Sequence, residues 1–288
     1  MAFLTKKKVL ASTLVSASVL ALAACGSDEE GKNTGSSDKK GEEESSTLVV
    51  GASNTPHAII LEQVEPILEE QGIDLEIETY QDYVLPNQDL ESGEIDANYF
   101  QHIPYFEAQK KEFGYDFANA GGIHIEPIGI YSKKYKSLSE LPEGATILLS
   151  NSVADHGRML SLLEQEGLIK LKEGIDKTEA ELSDIVENPK NFKFDAETEA
   201  SLLYQMYENE EGDAVLINSN YAIDNGLNPL KDSIAIENSE SPYVNIIAVR
   251  AGDENDKKVK ALVEALHSKE IQEFILDEWG GSVVPVTE

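Results

Sequence analysis

Beyond residue 46 the chain alternates between short apolar runs and longer stretches whose apolar residues recur at helical spacing, and this alternation limits the fold more than any other feature. Leu48-Val49-Val50-Gly51 is an apolar run closed by turn residues; residues 56–71 then carry Ile59, Ile60, Val64, Ile67 and Leu68 on one helical stripe. Ile73, Leu75 and Ile77 alternate with acids as a strand with one wet face. Strand, helix and strand in that order predict a parallel βαβ unit. Residues 123–131 alternate as a further strand, 133–142 are a polar connection, and Ala145-Thr146-Ile147-Leu148-Leu149 opens a second α/β block. That block holds helices at 156–166, near 178–186 and at 197–208, with strands at 192–194 and 214–217. Residues 243–250 form a long apolar strand, and helices at 255–267 and 270–279 pack back on the first block. A chain that leaves one α/β lobe, builds another and returns makes a cleft between them. The 242 residues from Thr47 to Glu288 suit two such lobes, expected at 47–132 plus 240–288 and at 133–239.

The amino end is of another kind. Lys6-Lys7-Lys8 precede an apolar, small-residue run from Val9 that closes with Leu22-Ala23-Ala24-Cys25, the layout of a signal peptide spanning residues 1–24. The run is shorter than the ~20 apolar residues of a spanning helix. Cys25 is the only cysteine, so no disulfide can form within the chain, and lipid attachment at a lipobox-like cleavage site accounts for it. Residues 26–46 are almost wholly Gly, Ser, Asp, Glu, Lys, Asn and Thr, which cannot bury a core. They form an acidic tether with a root-mean-square reach of ~25 Å, enough to let a globular body float off a membrane face. Residues 26–32 also fit a phosphate-loop pattern, but Asn33 replaces its Ser or Thr and no strand precedes it. The formal charge is −31, and −34 once residues 1–24, with three lysines and no acids, are removed. That charge repels nucleic acid and anionic lipid. The acids are spread along helices, so they indicate a solvated face rather than a cationic ligand.

The most site-like chemistry lies at 81–105. Tyr83, Tyr99, Phe100, His102 and Tyr105 cluster there in a chain with 7% aromatic residues, and Asn87, Asn98, Gln101 and His102 add polar groups. Pockets combine apolar walls with a few placed polar groups. Simple core packing is an even alternative for Phe100, whereas His102 falls near a strand end, where open α/β sheets bind ligands. Ser53-Asn54-Thr55-Pro56 offers a helix cap with free N–H groups, with ordinary capping the equal alternative. Arg158 follows the loop at 151–157 and is expected in the first turn of a helix. Cations are disfavoured there unless they answer an anion, and a guanidinium grips a carboxylate through two nitrogens. The alternative is a surface arginine reaching water.

Asp-Tyr-Val-Leu-Pro-Asn at 82–87, followed by Ile-Asp-Ala-Asn-x-Phe-Gln-His-x-Pro-Tyr at 95–105, resembles the methionine-binding lipoproteins of the MetQ/NlpA family, the substrate-binding proteins of ABC importers. Tyr-Ser-Lys-Lys at 131–134, Gly-Leu-Ile-Lys-Leu at 167–171, Val-Glu-Asn-Pro-Lys-Asn at 186–191 and Ser-Pro-Tyr-Val-Asn at 241–245 extend it through nearly all of the mature chain. The resemblance implies the two-lobed α/β fold of type II periplasmic binding proteins, with the ligand cleft between the lobes. It implies a lipid-anchored extracytoplasmic protein that captures L-methionine, needs no cofactor, and works with permease and ATPase subunits. It also implies Arg158 as the carboxylate clamp, Asn218 and Asn245 as amides for the ligand's polar end, and Tyr83, Phe100, His102 and Tyr105 as the remaining wall; Asn220 is as well explained as a helix cap. Two stretches depart from the family, Leu149-Ser150-Asn151-Ser152-Val153-Ala154-Asp155-His156 and Glu199-Ala200-Ser201-Leu202-Leu203-Tyr204. They leave a methionine-containing dipeptide or another amino acid open. Among rival classes, an enzyme lacks a Gly-x-Ser-x-Gly, Ser-x-x-Lys or His-Glu-x-x-His motif. A metal carrier would need His57, His102, His124 and His156 to converge with acids, and none of them has tight ligand spacing.

Overall fold

The computed structural model describes residues 46–286, so the signal segment, Cys25 and all but the last residue of the tether lie outside the described residues. The first lobe begins with β1 (Thr47–Ser53), a short turn of helix at Asn54–Ala58, α1 (Ile59–Glu69) and β2 (Asp74–Tyr80). β1 pairs in parallel with β2, as the strand–helix–strand pattern requires. Next come α2 (Leu85–Ser92), β3 (Ala97–His102), α3 (Ile103–Phe113) and β4 (Phe117–Ile125).

The chain then enters the second lobe. β5 (Gly129–Tyr131), β6 (Thr146–Ser150), α4 (Val153–Gln165) and the short pair β7 (Lys170–Leu171) and β8 (Ile185–Glu187) lead to β9 (Lys193–Thr198). After them come α5 (Ala200–Glu208), β10 (Ala214–Ile217), α6 (Ser219–Asp224), α7 (Pro229–Asp232) and β11 (Ala235–Ile236). The return is β12 (Val244–Arg250), α8 (Lys257–Leu266), α9 (Lys269–Trp279) and β13 (Val284–Pro285).

Among the described residues the two main sheets run β13-β4-β12-β3-β1-β2 and β11-β5-β10-β6-β9. The single strand expected at 123–131 is therefore two strands in different sheets, broken at Glu126-Pro127. β5 pairs with β10 and β11, so the crossing between lobes lies ahead of Gly129 and not after residue 132. The helix expected near 178–186 is instead two single 3-10 turns, Lys177–Glu179 and Leu182–Asp184, followed by β8. Residues 174–184 hold only Ile175, Ala180 and Leu182 as apolar groups, too few for a helical stripe.

Each lobe has its own core. Leu48, Val50 and Ala52 of β1 pack on Ile60, Leu61, Val64 and Leu68 of α1 and on Val259, Leu262 and Leu266 of α8, all buried. At about 1.5–3 kcal/mol for each fully buried Val, Leu or Ile, that shared face fixes the returning helices on the first lobe. The second core gathers Ile130, Ile147, Leu149, Leu160, Leu163 and Leu216. Gly114 closes α3 at φ 76°, a left-handed cap that suits glycine.

Candidate functional site

The parallel strands of both sheets point their carboxyl ends at the space between the lobes, where open α/β sheets place ligands. β3 ends there at His102, β4 leads into Glu126, β6 into the start of α4, and β10 into Asn218. β12 runs antiparallel, so its beginning lies at the same edge, with Asn245 opposite both His102 and His124. As a result Tyr83, Phe100, His102, Tyr105, Arg158, Asn218 and Asn245 line one cavity, together with Gln101, Glu126, Asp155, Ser219 and Asn220.

One wall is aromatic. The rings of Tyr83, Phe100 and Tyr105 stand 6.0–6.1 Å apart pairwise, and Tyr83 lies 5.1 Å from Tyr221 of the other lobe. The Tyr105 hydroxyl donates to the Tyr83 carbonyl at 2.8 Å, and the Tyr83 hydroxyl donates across the cleft to Asn220 Oδ1 at 2.7 Å. His102 caps α3, its Nδ1 accepting from the Tyr105 N–H at 3.1 Å. That fixes the ring's proton on Nε2, which reaches across the cleft to Asp155 Oδ1 at 3.0 Å.

The opposite wall is charged. Asp155 and Arg158 are 1% and 4% exposed, so their charges face few waters. Burial alone would push the Asp155 carboxyl up, but hydrogen bonds from His102 and Asn218 and the charge of Arg158 hold it below the ordinary range. Burial would lower Arg158; the carboxylates of Glu237 and Asp155 more than offset it and keep the guanidinium charged. Its Nη2 donates to Glu237 Oε2 at 2.5 Å and to the Glu126 carbonyl at 2.6 Å, Nε donates to Glu237 at 3.2 Å, and the group stacks 4.8 Å over Tyr243. Only Nη1, 4.0 Å from Asp155, is uncommitted among these contacts. The two-nitrogen grip is therefore spent on Glu237. α4 also begins at Val153, which puts Arg158 in the second turn rather than the first. The anion that justifies its position belongs to the protein.

A third group stands behind the cavity. His57 and His124 each bring Nε2 to Glu126 Oε1, at 3.2 and 2.8 Å. Wide sequence spacing concealed this convergence, whereas His156 turns away to the Ser150 carbonyl at 2.9 Å. The His57, His124 and Glu126 donors lie within 4.8 Å of one another, a set that suits a metal ion in type as well as a hydrogen-bonded network.

Some expectations fail in detail. Asn87, Asn98 and Gln101 bond to one another in a buried amide cluster, and of the three only Gln101 reaches the cavity. Ser53 makes no side-chain cap; Thr55 instead donates across the lobes to Asp224 at 3.2 Å. Glu126 and Asp155 escaped the sequence reading as site residues. An acid inside the apolar run Ile123-His124-Ile125-Glu126-Pro127-Ile128 is the signal that would have found the first. Asn218 Oδ1 is buried without a partner, while its Nδ2 donates to Asp155 at 3.2 Å.

Comparison with known proteins agrees with this architecture. A relative from Bacillus subtilis (strain 168), named methionine-binding lipoprotein MetQ, is 49% identical over 284 residues, 98% of this chain and 100% of its own. A lipoprotein structure from Enterococcus faecalis V583, described as a pheromone cOB1 precursor of the YaeC family, is 59% identical with a TM-score of 0.82, covering 83% of this chain and 100% of that one. A nutrient-binding protein from Burkholderia cenocepacia, solved bound to methionine, is 42% identical with a TM-score of 0.79 over 83% and 100% of the two chains. The family model described as NlpA lipoprotein matches residues 48–287, a span that takes in β2 to β13 and the whole cavity lining, so the chain belongs to the NlpA lipoprotein family.

Proposed function

We propose that this protein is the substrate-binding lipoprotein of an ABC importer, holding L-methionine or a related amino acid between its lobes and delivering it to the permease. The observation that carries this is one cavity with an aromatic wall from one lobe and a charged wall from the other, bridged by His102–Asp155 and Tyr83–Asn220. A thioether packs favourably against such rings, and Arg158 Nη1 with the amides of Asn218 and Asn245 suits the ionised end. A ligand that touches both lobes binds the closed form better and shifts the population towards it. The methionine-binding relatives support the choice of side chain. The site is read as binding rather than catalytic, as expected of this family.

A second reading, a methionine-containing dipeptide, has one observation in its favour. Beyond Tyr83 and Tyr105 the cavity adjoins an open groove lined by Asn151, Ser152, Val153, Glu199 and Ser201, from the two stretches that depart from the family pattern. Mass spectrometry of small molecules released on denaturing the purified protein separates the readings. Free methionine is expected; a dipeptide mass would establish the second reading, and a metal ion with no organic ligand would contradict both.

Delivery to a permease requires the protein to stay at the membrane. Cys25→Ser is expected to release it from the membrane fraction in soluble form. Retention of the variant through a high-salt wash, with the signal still cleaved, would rule out lipid attachment at this residue.

A further inference from the structure

Glu126 occupies the link between β4 and β5 at the back of the cavity, and three buried side chains stand behind it. His57 is 1% exposed, and His124 and Tyr99 are fully buried. Burial drives both imidazoles to the neutral form, His57 down to about 4 and His124 down to about 3. A neutral imidazole carries one N–H. His124 Nε2 lies 2.8 Å from the Glu126 carboxylate, which only accepts when ionised, so the ring's proton stands on Nε2 and Nδ1 is left to accept from the Tyr99 hydroxyl 2.5 Å away. His57 Nε2 faces two acceptors, Glu126 Oε1 and Asn245 Oδ1 at 3.1 Å, so its proton stands there too. His57 Nδ1 is left bare and without a partner. Every bond in the chain points the same way, towards a carboxylate that lines the cavity.

We infer that Tyr99, His124 and His57 are positioning residues that present Glu126 to the cavity as the acceptor for the ligand's α-ammonium group. This rests on the amino-acid reading and adds that the site demands a free amine. Asp155 is the competing carboxylate, but His102 takes its Oδ1 and Asn218 its Oδ2. On Glu126 both imidazoles fall on Oε1 and neither ring reaches the second oxygen, while the Asn220 N–H also bonds the carboxyl. Arg158 Nη2 bonds the Glu126 main-chain carbonyl at 2.6 Å, which sets the cationic and anionic receptors side by side, as the two charges of an α-amino acid are. The charged and titratable groups facing Glu126 are His57 from the turn after β1, Tyr99 and His102 from β3, His124 from β4, Arg158 from α4, and Tyr83 ahead of α2. Burial raises the Glu126 carboxyl, with His57 and Arg158 offsetting part of the rise. Acidification therefore removes its charge sooner than for an exposed glutamate, and affinity falls with it.

Calorimetry with L-methionine and its desamino analogue, 4-(methylthio)butanoate, tests this on the whole mature protein. Wild type is expected to prefer methionine by at least about a hundredfold, Glu126→Gln to shrink that ratio to below about tenfold, and His124→Phe to lie between them. Binding of the desamino analogue should change little in either variant, whereas general loosening of the site would weaken both ligands alike. Methionine affinity of wild type should fall on acidification, and that slope should vanish in Glu126→Gln. Equal wild-type affinity for the two ligands overturns the assignment without recourse to any variant. So does an unchanged ratio in Glu126→Gln, or uptake of one zinc ion per chain that His124→Phe abolishes. Wild type that binds the desamino analogue but not methionine would contradict the proposed function itself, and this assignment with it.

Discussion

Arg158→Ala is expected to lower methionine affinity by tens- to thousands-fold and to destabilise the ligand-free protein as well. The ligand loses the guanidinium nitrogen left for its carboxylate, and truncating one partner of a buried, hydrogen-bonded charge pair costs roughly 2–5 kcal/mol. Independently of ligand, Glu237 loses two hydrogen bonds and Asp155 its nearby cation, both in places with little water. Breaking a buried pair from one side costs about 3–5 kcal/mol, and at roughly 2–4 °C per kcal/mol for a domain of this size the melting temperature should fall by about 6–20 °C. Arg158→Lys should recover only part of either loss. One ammonium cannot hold Glu237, the Glu126 carbonyl and a ligand carboxylate together. A variant that melts like wild type while losing its ligand would show that Glu237 does not depend on Arg158 as described.

Gly157→Ala should also cost stability, although an alanine in a helix interior is ordinarily favoured over glycine by about 1 kcal/mol. A Cβ at 157 would come within 2.6 Å of the Thr178 carbonyl oxygen and closer still to that of Lys177, and both are backbone atoms that cannot swing aside. Overpacking of that kind costs roughly 1–3 kcal/mol or more. The net loss for alanine is expected at about 1–2 kcal/mol, and Gly157→Val should be worse. Because the neighbours of residue 157 on α4 include Asp155 and Arg158, displacement of the helix should weaken methionine binding as well. Urea unfolding checks the sign: a stabilised Gly157→Ala would mean that α4 and the turn at 177–179 are not in close contact.

The lobes and their order were legible because burial imposes a period. Val50 and Ala52 face α1, and Val259 with Leu262 and Leu266 faces the same core, so apolar spacing alone placed these elements. Periodicity could not place the break at Glu126-Pro127, since alternation runs on through residues that end in different sheets. It also gave no hint that residues 177–184 form single turns, because polar runs carry no stripe in either case. The site was legible where residue types cluster, as at 83–105, whereas Arg158 stood out for a place in the first helical turn that it does not occupy. What remained hidden depends on pairing through space. Glu237 is 79 residues from Arg158, and His57 is 69 from Glu126, and no local rule joins them. The partnership of Arg158 with Glu237 stayed hidden for the same reason, since that anion comes from a distant loop.

In the proposed function both lobes grip a zwitterionic amino acid whose carboxylate is read by Arg158. Calorimetric titration of L-methionine and methionine amide into wild type and Arg158→Ala tests it most directly. Wild type is expected to bind the acid far more tightly than the amide, and the mutation to erase this difference while lowering amide affinity little further. Equal affinity of wild type for acid and amide, or a preference that survives in Arg158→Ala, would contradict it.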